Sequence, residues 1–597
     1  MCKLQRIGLL TVFALAVIPG RLCAAPSPDN DHRDDRKEKA RHVLLISIDG
    51  MHAVDYANCV AANTCPHLAA LGRTGVNYTR TTTARPSDSF PGLMALVTGG
   101  SPRTVGAFYD VAYDRVLAPP RIATGNGLPG GVCNLNQING TQTEYEEGNE
   151  FDQSKINGGF AGYSTIDGGV KSINPDRLIR DPFNNCAPVY SWNFVRTNTI
   201  FGVIHAAGGY TAWSDKHAGY ASVSGPNPSP DLHPEVPANV DDYYSPEVNS
   251  LQIVLPGIKT AGLTPQASFD CGTLVPNGDD WTTDFNAIKC NDQLKVNAVL
   301  NQIHGRTHLG ASKAPVPVIF GMNFQAVSVG QKLIEPKSAT RTDANSGGYE
   351  DAQGTPRPKM LAQIQYVDAA IGQMIDALKH EGLLNSTTII ITAKHGQSPI
   401  DPNRFFPIPG HSGNNGTPPS GFIGSFLPAV YSDPNNGLGL AEDDISQIWL
   451  ADSDRTADAV TTLENNATAI GLGQIYYGAS INTIFNAPGV PNNPGPCCKL
   501  REGGDPRTPD IVVIPNVGVV YTGNLKKQSE HGGFAWDDTN VMLLVSNPDI
   551  KGRTVDSFVE TAQVAPTILK LLGLDPAELD AVRQEGTPIL PGLDLDR

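Results

Sequence analysis

Positive charge is scarce in this chain: 44 Lys and Arg stand against 60 Asp and Glu, a formal net charge of -16 over 597 residues. Without a basic surplus to neutralise phosphates, binding to a nucleic-acid backbone is not expected. Beyond the N-terminal segment no stretch is long and apolar enough to cross a bilayer. No CxxC pair occurs among the 10 cysteines, which disfavours a cysteine-built zinc site. What is present is an ordinary globular composition, 40% hydrophobic. The length suits one large domain with insertions or several domains.

The start of the chain has the form of a secretory signal. Lys3 and Arg6 precede an apolar run from Ile7 to Ile18, and Ala24-Ala25 offers a cleavage point. Arg21-Leu22 before Cys23 does not suit a lipoprotein signal. The organisation expected is a signal peptide over 1–24, a charged tether over 25–41 and a domain over 42–597. The mature chain would be secreted, extracellular or periplasmic, with no membrane span. Setting aside Cys2 and Cys23 leaves an even set, Cys59, Cys65, Cys133, Cys186, Cys271, Cys290, Cys497 and Cys498. In an exported chain that favours disulfides, with Cys59–Cys65 and Cys271–Cys290 the close pairs.

Apolar runs alternate with helical patterns. Strands are expected at Val43–Ile48, Asn77–Thr82, Tyr210–Trp213, Pro317–Asn323, Ser386–Ala393, Ile511–Pro515 and Val541–Val545. Lys359–His380 carries apolar residues at helical spacing, and further helices are expected at 66–72, 200–207, 292–303 and 561–572. Segments 116–195 and 218–285 are rich in turn residues and read as insertions. This alternation predicts an α/β fold with a mostly parallel central sheet flanked by helices.

Chemistry-bearing residues recur at strand ends. Asp49 ends the run Val43–Ile48, and carboxyl ends of parallel strands are where open α/β sheets bind ligands. Ser89, in Pro86-Ser87-Asp88-Ser89-Phe90-Pro91-Gly92, opens a helix whose free N–H groups favour anions. Asn323 and Gln331 follow a later strand, Lys394 and His395 end another, and His531 lies in Ser529-Glu530-His531-Gly532-Gly533. Lys216 and His217 end a strand too, where a surface loop is an equal reading. A carboxylate and a serine in these positions suit attack on a phosphate or sulfate ester, the hydroxyl needing a cation or base beside it. For the histidines the plain alternative is a hydrogen-bonded structural role, and for Ser89 a helix N-cap, which is itself compatible with catalysis.

The order Asp-Gly, Ser-Phe-Pro, His-Gly and His-Gly resembles the alkaline phosphatase superfamily, and within it the type I phosphodiesterase/nucleotide pyrophosphatase branch. The resemblance covers roughly 42–115, 200–217, 315–400 and 505–575. It implies an alkaline phosphatase-like domain, a small-molecule phosphate ester substrate, Ser89 as nucleophile, and divalent metal, with Zn²⁺ suiting the donors Asp49, His395 and His531.

The chain departs from that pattern at named positions. Lys394 stands where the resemblance implies Asp. Val327 and Gln331 stand where it implies Asp and His, and Gly92 replaces a phosphate-binding Asn. The metal count therefore comes to one or none, with Glu335 and Asp343 as possible substitutes. Lys394 is expected to take over the charge of a lost cation and pair with Asp49. Asp88 is expected to pair with Lys394 or to bind metal, and Asp88, Asn323 and Gln331 to serve as polar substrate contacts. Two further readings stay open: a non-catalytic descendant that binds an anion or a partner, and, more weakly, a sulfatase. The Cys/Ser-x-Pro-x-Arg signature that the sulfatase reading needs is absent around Ser89.

Overall fold

The computed structural model describes residues 41–595 apart from 126, 138–139, 146–149, 153–154, 156–168, 230–232, 277, 336–344, 409–422, 429–438, 486–504 and 523–526. The expected signal, most of the tether, Asp343, Cys497 and Cys498 lie outside the described residues. Among the described residues, nine strands build the central sheet: β1 (His42–Ile48), β2 (Val76–Thr82), β3 (Ala212–Ser214), β4 (Asp242–Tyr244), β5 (Ile319–Phe324), β6 (Thr387–Thr392), β7 (Asn540–Ser546), β8 (Arg553–Val555) and β9 (Val559–Glu560). Their order is β8-β2-β7-β6-β1-β5-β3-β4, with β9 also on β2.

β1 runs parallel to β5 and β6, and β3 runs parallel to β4 and β5. β7 is antiparallel to both β6 and β2. The sheet is thus mostly parallel. Ile511–Pro515 forms a strand outside it, in a separate four-stranded sheet with Gly439–Glu442, Ser446–Trp449 and Leu472–Tyr477.

Because strand side chains alternate between faces, β1 feeds two cores. Leu44, Ile46 and Ile48 pack with residues of α2 (Phe285–Ile303) and α3 (Pro358–His380). Val43 and Leu45 pack on the other face with α1 (Ser89–Thr98) and α4 (Val564–Leu572). α2 begins earlier than the apolar spacing from 292 suggests, because the Asp284 carboxylate accepts from the N–H groups of Asn286 and Ala287 and caps the helix. Disulfides join Cys59–Cys65, Cys271–Cys290 and Cys133–Cys186, the last within the first insertion. Among the described residues no helix is long and apolar enough to cross a membrane.

Candidate active site

The parallel strands deliver their carboxyl ends to one edge of the sheet, and the candidate residues gather there. Asp49 follows β1, Asp88 and Ser89 follow β2, Asp215 and Lys216 follow β3, Asn323 and Gln325 close β5, and Lys394 and His395 follow β6. α1 places Ser89 at its first residue, with Asp88 as N-cap in extended backbone. Pro91 falls in the first turn, where no N–H is required. Gly99 ends the helix at φ +74.

Asp49 is fully buried and is the hub. Its Oδ2 accepts hydrogen bonds from Asn323 Nδ2 (3.1 Å) and from Gln325 Nε2. The same oxygen lies 3.4 Å from Lys394 Nζ, 3.5 Å from His395 Nε2 and 4.0 Å from Lys216 Nζ. Burial alone would raise the Asp49 carboxyl, but the Lys394 ammonium and His395 hold it well below the usual carboxylate range. Lys394, buried to 0% exposure, also faces Asp215 Oδ1 at 3.5 Å and lies 4.1 Å from the Tyr220 ring centroid. Among the described residues its ammonium finds no hydrogen-bond partner.

Lys216 Nζ donates to Ser89 Oγ at 3.2 Å. Ser89 is itself 1% exposed. Lys216 lines a cleft of about 220 Å³ together with Tyr109, Gln325, Lys332, Glu530 and His531. A roomier cavity, lined by Arg85, Ser101, Glu560 and Glu585, holds none of these side chains.

Asp88 does not meet Lys394. Its Oδ2 accepts from the Asp110 N–H (2.8 Å), and its Oδ1 lies 3.0 Å from His531 Nδ1. The His395 and His531 rings are 4.2 Å apart, centroid to centroid. Burial, with His395 beside it, pushes the His531 imidazole down to about 4 despite Asp88. Burial would raise Asp88, and the His531 imidazole beside it lowers it.

Gln331 goes elsewhere. It sits in the short helix Ala326–Lys332, and its Nε2 donates to the Gly50 carbonyl (2.6 Å) and the Tyr349 hydroxyl (2.8 Å), beside His52 and Asp55. Gly50 has φ +82, and a Cβ there would strike Gln331, so the turn and the amide fit each other. Glu335 accepts from Phe285 N–H at the start of α2 and from Asn345. Gly92 also has a steric reason. A Cβ at 92 would strike the Lys394 carbonyl oxygen, so no larger residue fits unless that strand end retreats.

Asp215, Lys216 and Gln325 carry more of this geometry than the sequence pattern indicated. The signal available was position: each closes a strand that ends beside β1 or β5.

The donor set does not fit the divalent metals that the resemblance implies. Val327 offers no donor, Gln331 is committed to Gly50, and two ammonium groups lie within 4.0 Å of Asp49. At about 4 Å two unit charges interact by about 4 kcal/mol in a protein site, so a divalent ion meets about twice that from each ammonium. Among the described residues, the one group of His, Cys, Asp and Glu with ligand atoms all within 4.8 Å of one another is His304, His380 and Glu381, exposed at the ends of α2 and α3.

The family model described as "Type I phosphodiesterase / nucleotide pyrophosphatase" matches residues 43–127 and 342–539. That span contains Asp49, Asp88, Ser89, Lys394, His395 and His531, whereas Asp215, Lys216, Asn323, Gln325 and Gln331 lie between the matched segments. No protein of curated function matches the chain by sequence. Among solved structures, murine ectonucleotide pyrophosphatase/phosphodiesterase 5, an inactive variant in complex with AMP, is similar at 14% identity, covering 90% of this chain and 96% of that one with a TM-score of 0.48. The human protein of the same name gives 14%, 89%, 95% and 0.48.

Proposed function

Because the chain belongs to the type I phosphodiesterase/nucleotide pyrophosphatase branch of the alkaline phosphatase superfamily, we propose that it is an exported phosphoric ester hydrolase acting on a small-molecule phosphodiester, with Ser89 as nucleophile. The observation that carries this reading is the Ser89 hydroxyl at the start of a buried helix, hydrogen-bonded by Lys216 at 3.2 Å, beside the Asp49–Lys394 pair. Ser89 Oγ forms a bond to phosphorus in line as the bond to the leaving oxygen breaks, and the electron pair departs with that oxygen. The serine proton ends on the leaving alcohol. Water then cleaves the phosphoryl-serine and restores the hydroxyl. Lys394 offsets the charge that develops on the phosphoryl oxygens, Asp49 holds Lys394, and His395 and His531 act as acid/base groups. Asp88 orients His531, and Asn323 orients Asp49. The disulfides and the basic, apolar start of the chain support export.

The test is turnover of bis(p-nitrophenyl) phosphate and p-nitrophenyl phosphate by wild type and Ser89→Ala. The serine variant is expected to lose at least about 10³-fold in kcat, as removal of a nucleophile does elsewhere. Wild-type turnover that survives the substitution would remove Ser89 from the mechanism. The second reading, an anion-binding descendant, is favoured by the residues at 327, 331 and 394; it predicts phosphate binding with no turnover at all.

A further inference from the structure

We infer that Lys216 and Lys394 form a two-ammonium centre that takes the place of the divalent cations, so that the site recognises and activates a phosphate ester without bound metal. The inference rests on the reading of Ser89 as nucleophile for its catalytic part, and on geometry alone for its binding part.

The two amines converge on one carboxylate oxygen from different strands. Lys394 Nζ lies 3.4 Å from Asp49 Oδ2 and Lys216 Nζ 4.0 Å from it, and each has a further contact that fixes a role. Lys216 is the group that touches the nucleophile, donating to Ser89 Oγ at 3.2 Å. An ammonium in that position stabilises the alkoxide as it forms, the service a metal ion gives a serine elsewhere. It also lines the cleft, so an entering anion meets it first.

Lys394 lies behind it. Asp215 at 3.5 Å and the Tyr220 ring at 4.1 Å hold its charge in place, yet among the described residues none of its N–H groups makes a hydrogen bond. A buried ammonium with unspent donors is costly unless a ligand uses them. Asp49 Oδ1 and His395 Nε2 are likewise buried without a hydrogen-bond partner at the same spot. Before a ligand arrives, Asp49 and Asp215 balance the two ammonium charges, and the donors remain free for phosphoryl oxygens. No hydroxide-generating metal is required in the first half-reaction, because the nucleophile belongs to the chain. A second observation points the same way. The glycine at 92 lets α1 touch the Lys394 carbonyl, so the helix start and the lysine strand end form one packed unit.

The experiment uses the purified full chain. Metal content is measured by elemental analysis, and turnover of bis(p-nitrophenyl) phosphate before and after dialysis against a chelator. Binding of inorganic phosphate is measured by calorimetry for wild type, Lys216→Met, Lys216→Arg, Lys394→Met and Ser89→Ala. The expected result is no stoichiometric metal, turnover unchanged by chelation, and phosphate affinity reduced about tenfold or more in each methionine variant, as loss of a hydrogen bond from a charged group implies. Lys216→Arg should recover part of that affinity, and Ser89→Ala should lose turnover. Lys216 is partly exposed, so its variants test the inference even where Lys394→Met fails to fold.

One divalent ion per chain together with loss of turnover on chelation would overturn the inference while leaving Ser89 as nucleophile. Phosphate binding indifferent to both lysines would also overturn it. Metal-free, lysine-dependent phosphate binding in a wild type that turns over no ester would sustain the centre as an anion site and remove the hydrolase reading instead.

Discussion

Two lysines lie buried at the same edge of the central sheet, and they are held in opposite ways. Lys295, on α2, donates to the Asn323 carbonyl at 2.7 Å and pairs with Asp292 at 2.9 Å. Asp292 in turn accepts from the N–H groups of Gln325 and Ala326. Every group in that cluster is answered, and its effect is to pin the turn after β5 that presents Asn323 and Gln325 to Asp49. Lys394 has the same burial but only ion pairs of 3.4 and 3.5 Å and an aromatic face. The difference separates a lysine that completes the structure from one whose donors are left unspent, and it tells which of two equally buried charges is the one to test for chemistry.

The largest break in that comparison should come from Lys295→Met. Removing one partner of a buried, hydrogen-bonded pair costs about 3–5 kcal/mol, so chemical denaturation should show a large loss of stability, with any loss of activity a consequence of it. Lys394→Met should invert the pattern. Its unfolding midpoint is expected to move less than that of Lys295→Met, while kcat falls about 10²–10³-fold, the usual effect of removing one electrostatic donor. Equal destabilisation by the two variants would erase the distinction.

Gly92→Ala probes the contact between α1 and Lys394. The added Cβ meets a backbone carbonyl rather than a flexible side chain, so overpacking of about 1–3 kcal/mol is expected. Thermal unfolding measures it, and activity should fall with it because Ser89 moves. The gentlest probe is acid. Asp49 has a folded-state pKa held below its unfolded value near 3.8 by Lys394 and His395. Its contribution to stability is therefore complete above that value and is lost as pH falls through the lower, folded one, by about 1.4 kcal/mol per pH unit across the window. The stability gap between wild type and Asp49→Asn should be flat above about pH 4 and narrow below it; a gap that widens on acidification would show that Asp49 is not the depressed group.

Much of the fold was readable because buried parallel strands announce themselves as unbroken apolar runs. Val43–Ile48 and Thr387–Thr392 are both of this kind, and the polar residues just beyond them, Asp49 in one case and Lys394-His395 in the other, necessarily arrive at the same sheet edge. The direction of β7 was not readable, since an apolar run has the same composition in either orientation. Ile511–Pro515 was assigned by the same apolar signal, which does not say which sheet a strand joins. Within the site, Gln331 lies several residues of helix beyond its strand, and the helix turns its side chain toward Gly50 and Tyr349 instead of Asp49. Gln325, at the strand end itself, makes the contact. Lys216 was ambiguous because β3 has only three residues, too short for a pattern to show that its last positions face the sheet edge. Asp88 lies beside Ser89 in sequence, but the extended N-cap backbone carries its side chain to the Asp110 N–H and His531.

The contact between Gly92 and the Lys394 carbonyl couples two parts of the site. A side chain at 92 and the present course of the chain at 394 exclude each other. Replacing Lys394 alone leaves no room for an asparagine at 92, and placing asparagine at 92 first drives the lysine strand end out of position. The contact acts as a latch: the start of the helix that carries Ser89 and the strand end that carries Lys394 hold each other in place, so the nucleophile and the buried ammonium move together or not at all.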